Sequence, residues 1–124
     1  MAKQVVFSPN APEPIGPYSQ AIQTGNMLFV SGQIALSNGT MVNANVKDEA
    51  GQVMKNVEAI LKAAGFEFSD IVKTTIFLKN MGDFPQVNEV YGSFFKSNPP
   101  ARETVEVSRL PKDANVEISC IAVK

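Results

Sequence analysis

An apolar stripe in the middle of the sequence limits the folds that this chain can adopt. Apolar residues recur from Ala50 to Ala64 at spacings of three and four, which is the period of an amphipathic α-helix. Asn45 is a suitable N-cap, Asp48 lies in the first turn, and Gly65 follows the stripe as a C′ glycine would. Because one apolar stripe cannot form a core alone, this helix must pack against a second layer.

The second layer is predicted to be a β-sheet. Residues 71–78 are rich in β-branched side chains, and residues 101–107 and 115–123 are two further β-like runs. Nearer the N-terminus, residues 3–7 form a short β-like run, and Gly25-Asn26 separates two more runs as in a hairpin.

A second helix is predicted after the run at residues 71–78. Asp83 and Gln86 form a D-x-x-Q variant of the capping box, and apolar side chains recur as far as Phe95. Asn98-Pro99-Pro100 would end this helix. Two amphipathic helices can cover one face of a mixed sheet, which predicts a single two-layer α+β domain over residues 1–124.

The last predicted strand has two different faces. Every second residue from Val116 to Ala122 is apolar and should pack under the helices. The residues between and after them are half polar and half apolar: Glu117, Ser119, Ile121 and Val123. This second face is either a subunit interface or an ordinary solvated face with two stray apolar residues.

The composition excludes several kinds of site. The chain has no histidine, which rules out serine–histidine triads, cysteine–histidine dyads and histidine metal sites. Its single cysteine, Cys120, is expected in the core and fits a reducing compartment. The net charge of −1 and the lack of a basic block argue against nucleic acid as a partner. No apolar run approaches membrane-spanning length, and residues 1–10 lack an apolar leader, so we expect a cytoplasmic protein without a membrane partner.

Two side chains are the leading candidates for chemistry. Arg102 follows Pro99-Pro100-Ala101, and a guanidinium can hold a carboxylate through two parallel hydrogen bonds. The plainer interpretation is a surface arginine paired with Glu103 or Glu106. Glu117 alternates with apolar residues, and partial burial would raise its pKa toward that of a general base, although it is also explained as a solvated strand residue. The strands of Arg102 and Glu117 either neighbour each other or meet across an interface.

Other polar residues stand where a ligand could approach the backbone or a cleft. Tyr18 follows a rigid, proline-rich segment, and Ser31 and Gly32 end the second strand of the predicted hairpin. Asn88 lies in the second predicted helix, and Arg109, beside a turn, is interpreted as structural. Turns, caps and exposed positions explain each of these residues equally simply, so the residues alone predict an α+β domain with one anion site.

The sequence resembles the RidA (YjgF) family along nearly its whole length. Six stretches carry the resemblance in the family's order: GPYSQA (16–21), GNMLFVSGQI (25–34), QVMKNVEAILKAAG (52–65), MGDFPQVNEVYGSFF (81–95), PAR (100–102) and LPKDANVEISCIAV (110–123). The resemblance implies a chorismate-mutase-like fold, in which a mixed six-stranded β-sheet carries two helices on one face. It also implies a homotrimer that joins through the open sheet faces, with active sites in the clefts between subunits.

The resemblance further implies roles by motif position. Arg102 would clamp the substrate carboxylate, Glu117 would hold or activate the attacking water, and Tyr18 would line the cleft as the third catalytic residue. The remaining substrate-binding positions are Ser31, Gly32, Asn88 and Thr104. Many family members carry a cysteine where this chain has Thr104, a position that would contribute its backbone.

The implied reaction is that of a 2-iminobutanoate/2-iminopropanoate deaminase, which hydrolyses reactive 2-imino acids to 2-keto acids and ammonia. The ligand would be a small 2-imino or 2-keto acid, and neither a cofactor nor a metal would be needed. One alternative is a non-catalytic module that binds small carboxylates. A second is an endoribonuclease or translation inhibitor, which the near-neutral charge and the lack of histidine disfavour. A chorismate mutase rests on fold likeness alone, and two arginines offer little positive charge for a dicarboxylate.

Overall fold

The computed structural model describes residues 2–124, so Met1, which the predicted domain includes, lies outside the described residues. Two α-helices are present, α1 (Val46–Ala63) and α2 (Phe84–Gly92). The strands are β1 (Gln4–Val6), β2 (Ala21–Thr24), β3 (Met27–Gln33), β4 (Leu36–Ser37), β5 (Thr40–Met41), β6 (Ile71–Leu78), β7 (Ala101–Glu106) and β8 (Val116–Val123). Short 3₁₀ turns at Phe68–Asp70, Met81–Asp83 and Pro111–Asp113 precede β6, α2 and β8.

Six strands form one mixed sheet in the order β1-β2-β3-β8-β6-β7, while β4 and β5 form a separate hairpin. β6 and β7 are parallel, and the other neighbouring strands of the sheet are antiparallel. Residues of α1 and α2 share one buried cluster with Ile76 of β6 and Ile118 of β8, so both helices cover the same face. The predicted α+β class, with a mixed six-stranded sheet and two helices on one face, is confirmed.

The alternation predicted for the last strand is confirmed by β8. Val116, Ile118, Cys120 and Ala122 are buried beneath the helices, and the residues between them are partly exposed. Burial raises the pKa of the Cys120 thiol to about 12, so this cysteine is an inert core residue, as predicted.

The predicted signals at both ends of α1 are confirmed. Asn45 is extended, and its side chain accepts a hydrogen bond of 2.8 Å from the backbone N–H of Asp48. Gly65, with φ of +78°, follows the C-cap residue.

Glu49 is fully buried, and its carboxylate accepts hydrogen bonds of 2.7 and 2.9 Å from the backbone and side-chain nitrogens of Asn115. This contact ties the first turn of α1 to the start of β8.

The second helix begins after Asp83, as predicted, but the predicted capping box and the predicted end at Asn98-Pro99-Pro100 are wrong. Asp83 makes no capping hydrogen bond, because its backbone is already helical at the end of the 3₁₀ turn Met81–Asp83. The carboxylate of Glu106, on β7, instead accepts a hydrogen bond of 2.7 Å from the backbone N–H of Met81. α2 ends at Gly92, where a tightened turn follows and the Ser93 N–H bonds to the Val90 carbonyl. A long-range contact therefore takes the place of the predicted capping box, whereas local hydrogen bonds close the C-terminal end.

The proline-rich segment before β2 is a loop without strand pairing. The predicted hairpin at Gly25-Asn26 is present, and a second turn at Asn38-Gly39 joins β4 to β5. Within residues 2–124, neither helix combines the length and the apolarity needed to cross a lipid bilayer.

Candidate active site

A cavity of about 360 Å³ opens beside the start of β8. Its walls come from the loop before β2, the end of β3 with the residues that follow it, and the turn before β8. The cavity brings together four of the predicted site residues: Tyr18, Ser31, Gly32 and Glu117. We call this cavity the Glu117 pocket.

Glu117 lies on the open face of the sheet, opposite Phe77 of β6. Its side chain is half-buried, and desolvation by burial raises the pKa of its carboxyl group above the ordinary value of 4.5. The residues that line the pocket include no lysine or arginine, so nothing there offsets the loss of hydration. A carboxylate in this state is a stronger base than one in water.

Gly32 makes room for this carboxylate. The pairing of β3 with β8 shifts register between Val30 and Gln33, which brings the backbone of Gly32 against Glu117. A Cβ atom on Gly32 would overlap Oε2 of Glu117 and lie 2.8 Å from its Cδ. The glycine was interpreted from the sequence as space for a ligand, but here the Glu117 carboxylate occupies that space.

Hydrogen bonds fix the loop that carries Tyr18. The Ser31 hydroxyl donates a bond of 2.6 Å to the Ser19 carbonyl, and the Ser31 N–H donates one of 2.9 Å to the Gln20 carbonyl. The buried side chain of Gln20 donates a bond of 2.9 Å to the Pro12 carbonyl. Ser31 and Gln20 therefore hold Tyr18 at the rim of the pocket, where it is 48% exposed.

Arg102 lies elsewhere, at the start of the edge strand β7. Its Nη1 donates a hydrogen bond of 2.7 Å to Oδ1 of Asn88 on α2. Its guanidinium also lies 5.3 and 5.2 Å from the ring centres of Phe84 and Tyr91, within cation–π range. The Tyr91 hydroxyl is in turn 2.7 Å from Oγ1 of the buried Thr74, and burial raises the Tyr91 pKa. We call Phe84, Asn88, Tyr91 and Arg102 the Arg102 cluster.

Thr104 lies two residues beyond Arg102 on the same face of β7, opposite the buried Ile76. Its Oγ1 is buried without a hydrogen-bond partner among residues 2–124. The hydroxyl is a free polar group next to the Arg102 cluster.

The chain by itself keeps Glu117 and Arg102 apart. β6 lies between β7 and β8, so the prediction that their strands neighbour each other is wrong. The two side chains also lie on opposite faces. Arg102 pairs with Thr74 beneath α2, whereas Glu117 alternates with residues that pack under the helices. The alternative, in which they meet across an interface, stays a prediction.

The plainer interpretation of Arg102 is also wrong. Glu103 pairs with Lys73 at 3.3 Å, and Glu106 bonds to the backbone of Met81, so neither carboxylate pairs with Arg102. Arg109 pairs with Asp113 at 2.7 Å, which confirms its structural role.

Comparison with known proteins identifies the family. The sequence model of the family described as Endoribonuclease L-PSP matches residues 8–124. This chain belongs to that family. It is 52% identical to a RutC family protein of Pyrococcus horikoshii, over 98% of both chains. It is 49% identical to a protein of Dermatophagoides farinae named 2-iminobutanoate/2-iminopropanoate deaminase, over 98% of this chain and 96% of that one. The crystal structure of the YjgF gene product of E. coli superposes with a TM-score of 0.92 at 47% identity, over 98% of each chain. The resemblance to the RidA (YjgF) family is therefore confirmed.

The sequence does not single out two aromatic members of the Arg102 cluster as site residues. Phe84 and Tyr91 flank Asn88 at spacings of four and three in α2, so all three side chains share one side of the helix. That spacing is the sequence signal that could have identified them. The sequence alone explains Phe84 and Tyr91 as part of the apolar face of α2, and only the position of β7 shows that they surround Arg102.

The chain thus carries two separate groups of candidate site residues. The Arg102 cluster can hold an anionic group through a guanidinium whose position is fixed by a hydrogen bond and two rings. The Glu117 pocket can accept a proton from water beside a largely apolar wall. The Arg102 cluster lacks a base that could activate water, and the Glu117 pocket lacks a positive charge that could anchor a small acid.

Proposed function

We propose that this chain hydrolyses 2-imino acids to 2-keto acids and ammonia at sites completed by two copies of the chain. The observation that carries the proposal is the half-buried Glu117 carboxylate, whose raised pKa suits a base that activates water. The 49% identical relative named 2-iminobutanoate/2-iminopropanoate deaminase supports the same reaction.

Exposed apolar side chains on the open sheet face support assembly. Val5, Phe29 and Val105 are 67%, 40% and 40% exposed, which is unusual for large apolar residues on one surface. We propose that three copies join through these faces. The Arg102 cluster of one copy would then complete the Glu117 pocket of its neighbour, in a head-to-tail contact that closes into a ring.

In the proposed mechanism, Arg102 binds the carboxylate of the imino acid and so directs the C=N carbon toward Glu117. A protonated imine is already electrophilic, and the negative pocket favours its positive charge. Glu117 accepts a proton as water attacks the C=N carbon, and it returns this proton to the nitrogen of the tetrahedral carbinolamine. The C–N bond then breaks, ammonia leaves, and the hydroxyl proton passes to Glu117 and on to solvent as the 2-keto group forms.

The other predicted site residues have supporting roles in this proposal. Asn88 orients the guanidinium, and the free Thr104 hydroxyl lies on the side of β7 that would face the bound acid. Tyr18 closes the rim of the pocket, and Ser31 holds the Tyr18 loop. We place this activity in the cytosol, because the lone thiol fits reducing conditions.

An imine-decay assay tests the proposal. An amino-acid oxidase with catalase generates the imine in situ, and semicarbazide traps what is left as an absorbing semicarbazone. We expect the parent protein to lower the semicarbazone yield. Glu117→Gln should reduce kcat at least about 100-fold, the usual scale of general-base catalysis. Arg102→Ala should reduce kcat/KM about 10- to 100-fold, the scale of charge-assisted hydrogen bonds.

Arg109→Ala is the matched control, because Arg109 is the other arginine of the chain and pairs with an exposed carboxylate. It should leave the rate unchanged. If the parent does not accelerate imine decay, or if Glu117→Gln is as active as the parent, the proposal is wrong. A protein that binds 2-ketobutyrate without turnover would be a binding module.

The description of the family names an endoribonuclease, which makes RNA cleavage the second candidate. A net charge of −1 and the absence of histidine provide neither strong RNA affinity nor the usual acid–base group. We expect no RNA-cleaving activity in the column fractions that contain the purified oligomer. Cleavage that co-elutes with it and disappears in Glu117→Gln would favour the ribonuclease.

A further inference from the structure

The inner wall of the Glu117 pocket is apolar and rigid. Ile34 and Leu36 line it, are each 8% exposed, and belong to a buried cluster with Leu110 and Ala114. This cluster supports the wall from behind. Ile15, on the loop before β2, lines the cavity as well and is more exposed.

Most neutral polar groups of the pocket are already bonded within the chain. The Gln33 side chain donates a hydrogen bond of 3.1 Å to the Ser31 carbonyl, and Ser31 and Gln20 hold the Tyr18 loop. The Tyr18 hydroxyl, at the rim, accepts a bond of 3.3 Å from the Ile15 N–H and keeps its own proton free to donate. A polar substrate side chain placed against the inner wall, away from the rim, would lose its hydration with few groups to replace it. The charged lining residues are Glu13 and Glu117, so an acidic side chain would also meet like charge.

The pocket is large for a three- or four-carbon acid. A methyl group is about as large as a water molecule, whose share of liquid volume is about 30 Å³. A methyl or ethyl side chain would therefore fill only a small part of the cavity of about 360 Å³.

We propose that the Glu117 pocket selects 2-imino acids whose side chain is apolar and larger than ethyl. The inference rests on the proposed function and specifies its substrate class. With the C=N carbon beside Glu117, the side chain lies against Ile15, Ile34 and Leu36. Each methylene that the wall removes from water then raises kcat/KM about fourfold.

The test compares imines made in situ from alanine, leucine and glutamate. The leucine imine has three more side-chain carbons than the alanine imine, so we expect its kcat/KM to be about 50-fold higher. The glutamate imine should be slower than the leucine imine by a larger factor. Glu13→Gln should raise the rate on the glutamate imine relative to the rate on the leucine imine, because only the glutamate side chain carries like charge.

Two variants of Ile15 test the wall without disturbing the fold, because this side chain is 59% exposed. Ile15→Asn should lower kcat/KM for the leucine imine about tenfold and leave that for the alanine imine nearly unchanged. Ile15→Val should keep the preference.

Equal kcat/KM for the alanine and leucine imines would overturn the inference, as would Ile15→Asn slowing both alike. In either case the proposed deaminase function would stand, because both imines would still be hydrolysed. If the protein accelerates no imine, the proposed function itself has failed, and the specificity inference fails with it.

Discussion

Substitution of Gly32 by alanine probes the link between backbone geometry and the base. The added Cβ would overlap Oε2 of Glu117 and lie 2.8 and 3.1 Å from its Cδ and Cγ, closer than ordinary carbon contacts. The carboxylate must therefore move by about 1 Å or more. A displacement of about 1 Å at a reacting group costs about 100-fold in rate. Because a half-exposed side chain can rotate away, the free energy of unfolding should change by only about 1 kcal/mol, the low end for overpacking.

The assay for Gly32→Ala is imine decay together with urea unfolding. Gly51→Ala is the matched control, since a Cβ on this helical glycine meets nothing within 4 Å. It should stabilise the chain by up to about 1 kcal/mol and leave the rate unchanged. In a Glu117→Ala background, Gly32→Ala should cause no further loss, because the atoms it displaces are gone. Parental activity in the single Gly32→Ala variant would refute this reasoning.

The remaining predictions concern protons and buried polar groups. Because burial raises the pKa of Glu117 above 4.5, kcat/KM should fall as the pH drops through this raised value, and the fall should be absent in Glu117→Gln. The same shift means that the folded chain holds this proton more tightly than the unfolded chain. Its stabilising contribution is therefore present below pH 4.5 and is lost as the pH rises through the folded pKa. Urea unfolding should accordingly find Glu117→Gln more stable than the parent at pH 7, with the gain vanishing near pH 3. Glu49→Gln places an amide donor against the Asn115 nitrogens and should cost about 1–3 kcal/mol of unfolding free energy. Glu58→Gln, at a partly exposed carboxylate paired with Lys62 in α1, should change it by less than about 0.5 kcal/mol, and equal effects would contradict the role given to Glu49.

Local sequence patterns correctly predicted the helices and strands whose structure depends mainly on their own residues. The run at residues 71–78 coincides with β6, and the stripe, N-cap and C′ glycine of α1 are all present. α2 begins after Asp83, as predicted, but the turn before it and its C-terminal end differ from the prediction. Glu106 of β7 holds the turn before it, and the helix stops at Gly92, before the prolines. Residues 93–95 continue in tightened turns whose backbone N–H groups bond three residues back, so the apolar pattern outlasts the helix.

The geometry of the candidate site depends on the order of the strands in the sheet. The hydrophobic periodicity of the sequence predicts strands but not their order. The motifs identified the site residues, but β6 pairs between β7 and β8 and separates Arg102 from Glu117 within one chain. The role of Gly32 depends on a register shift against β8, which no local signal indicates. The two rings beside Arg102 follow from how α2 packs on β7. These features come from tertiary pairing, so they become visible only in the folded chain.

Mixed oligomers test most directly whether the site is shared between copies. Arg102→Ala and Glu117→Gln subunits, each at least about tenfold less active than the parent when alone, are co-expressed with different tags and purified as mixed assemblies. In a ring of three head-to-tail contacts, every mixed assembly has one site in about three with both an intact Arg102 and an intact neighbouring Glu117. Imine hydrolysis by the purified mixed assemblies should then return to about a third of the parental rate. If the mixed oligomers stay as inactive as the two variants alone, Arg102 and Glu117 do not act across an interface.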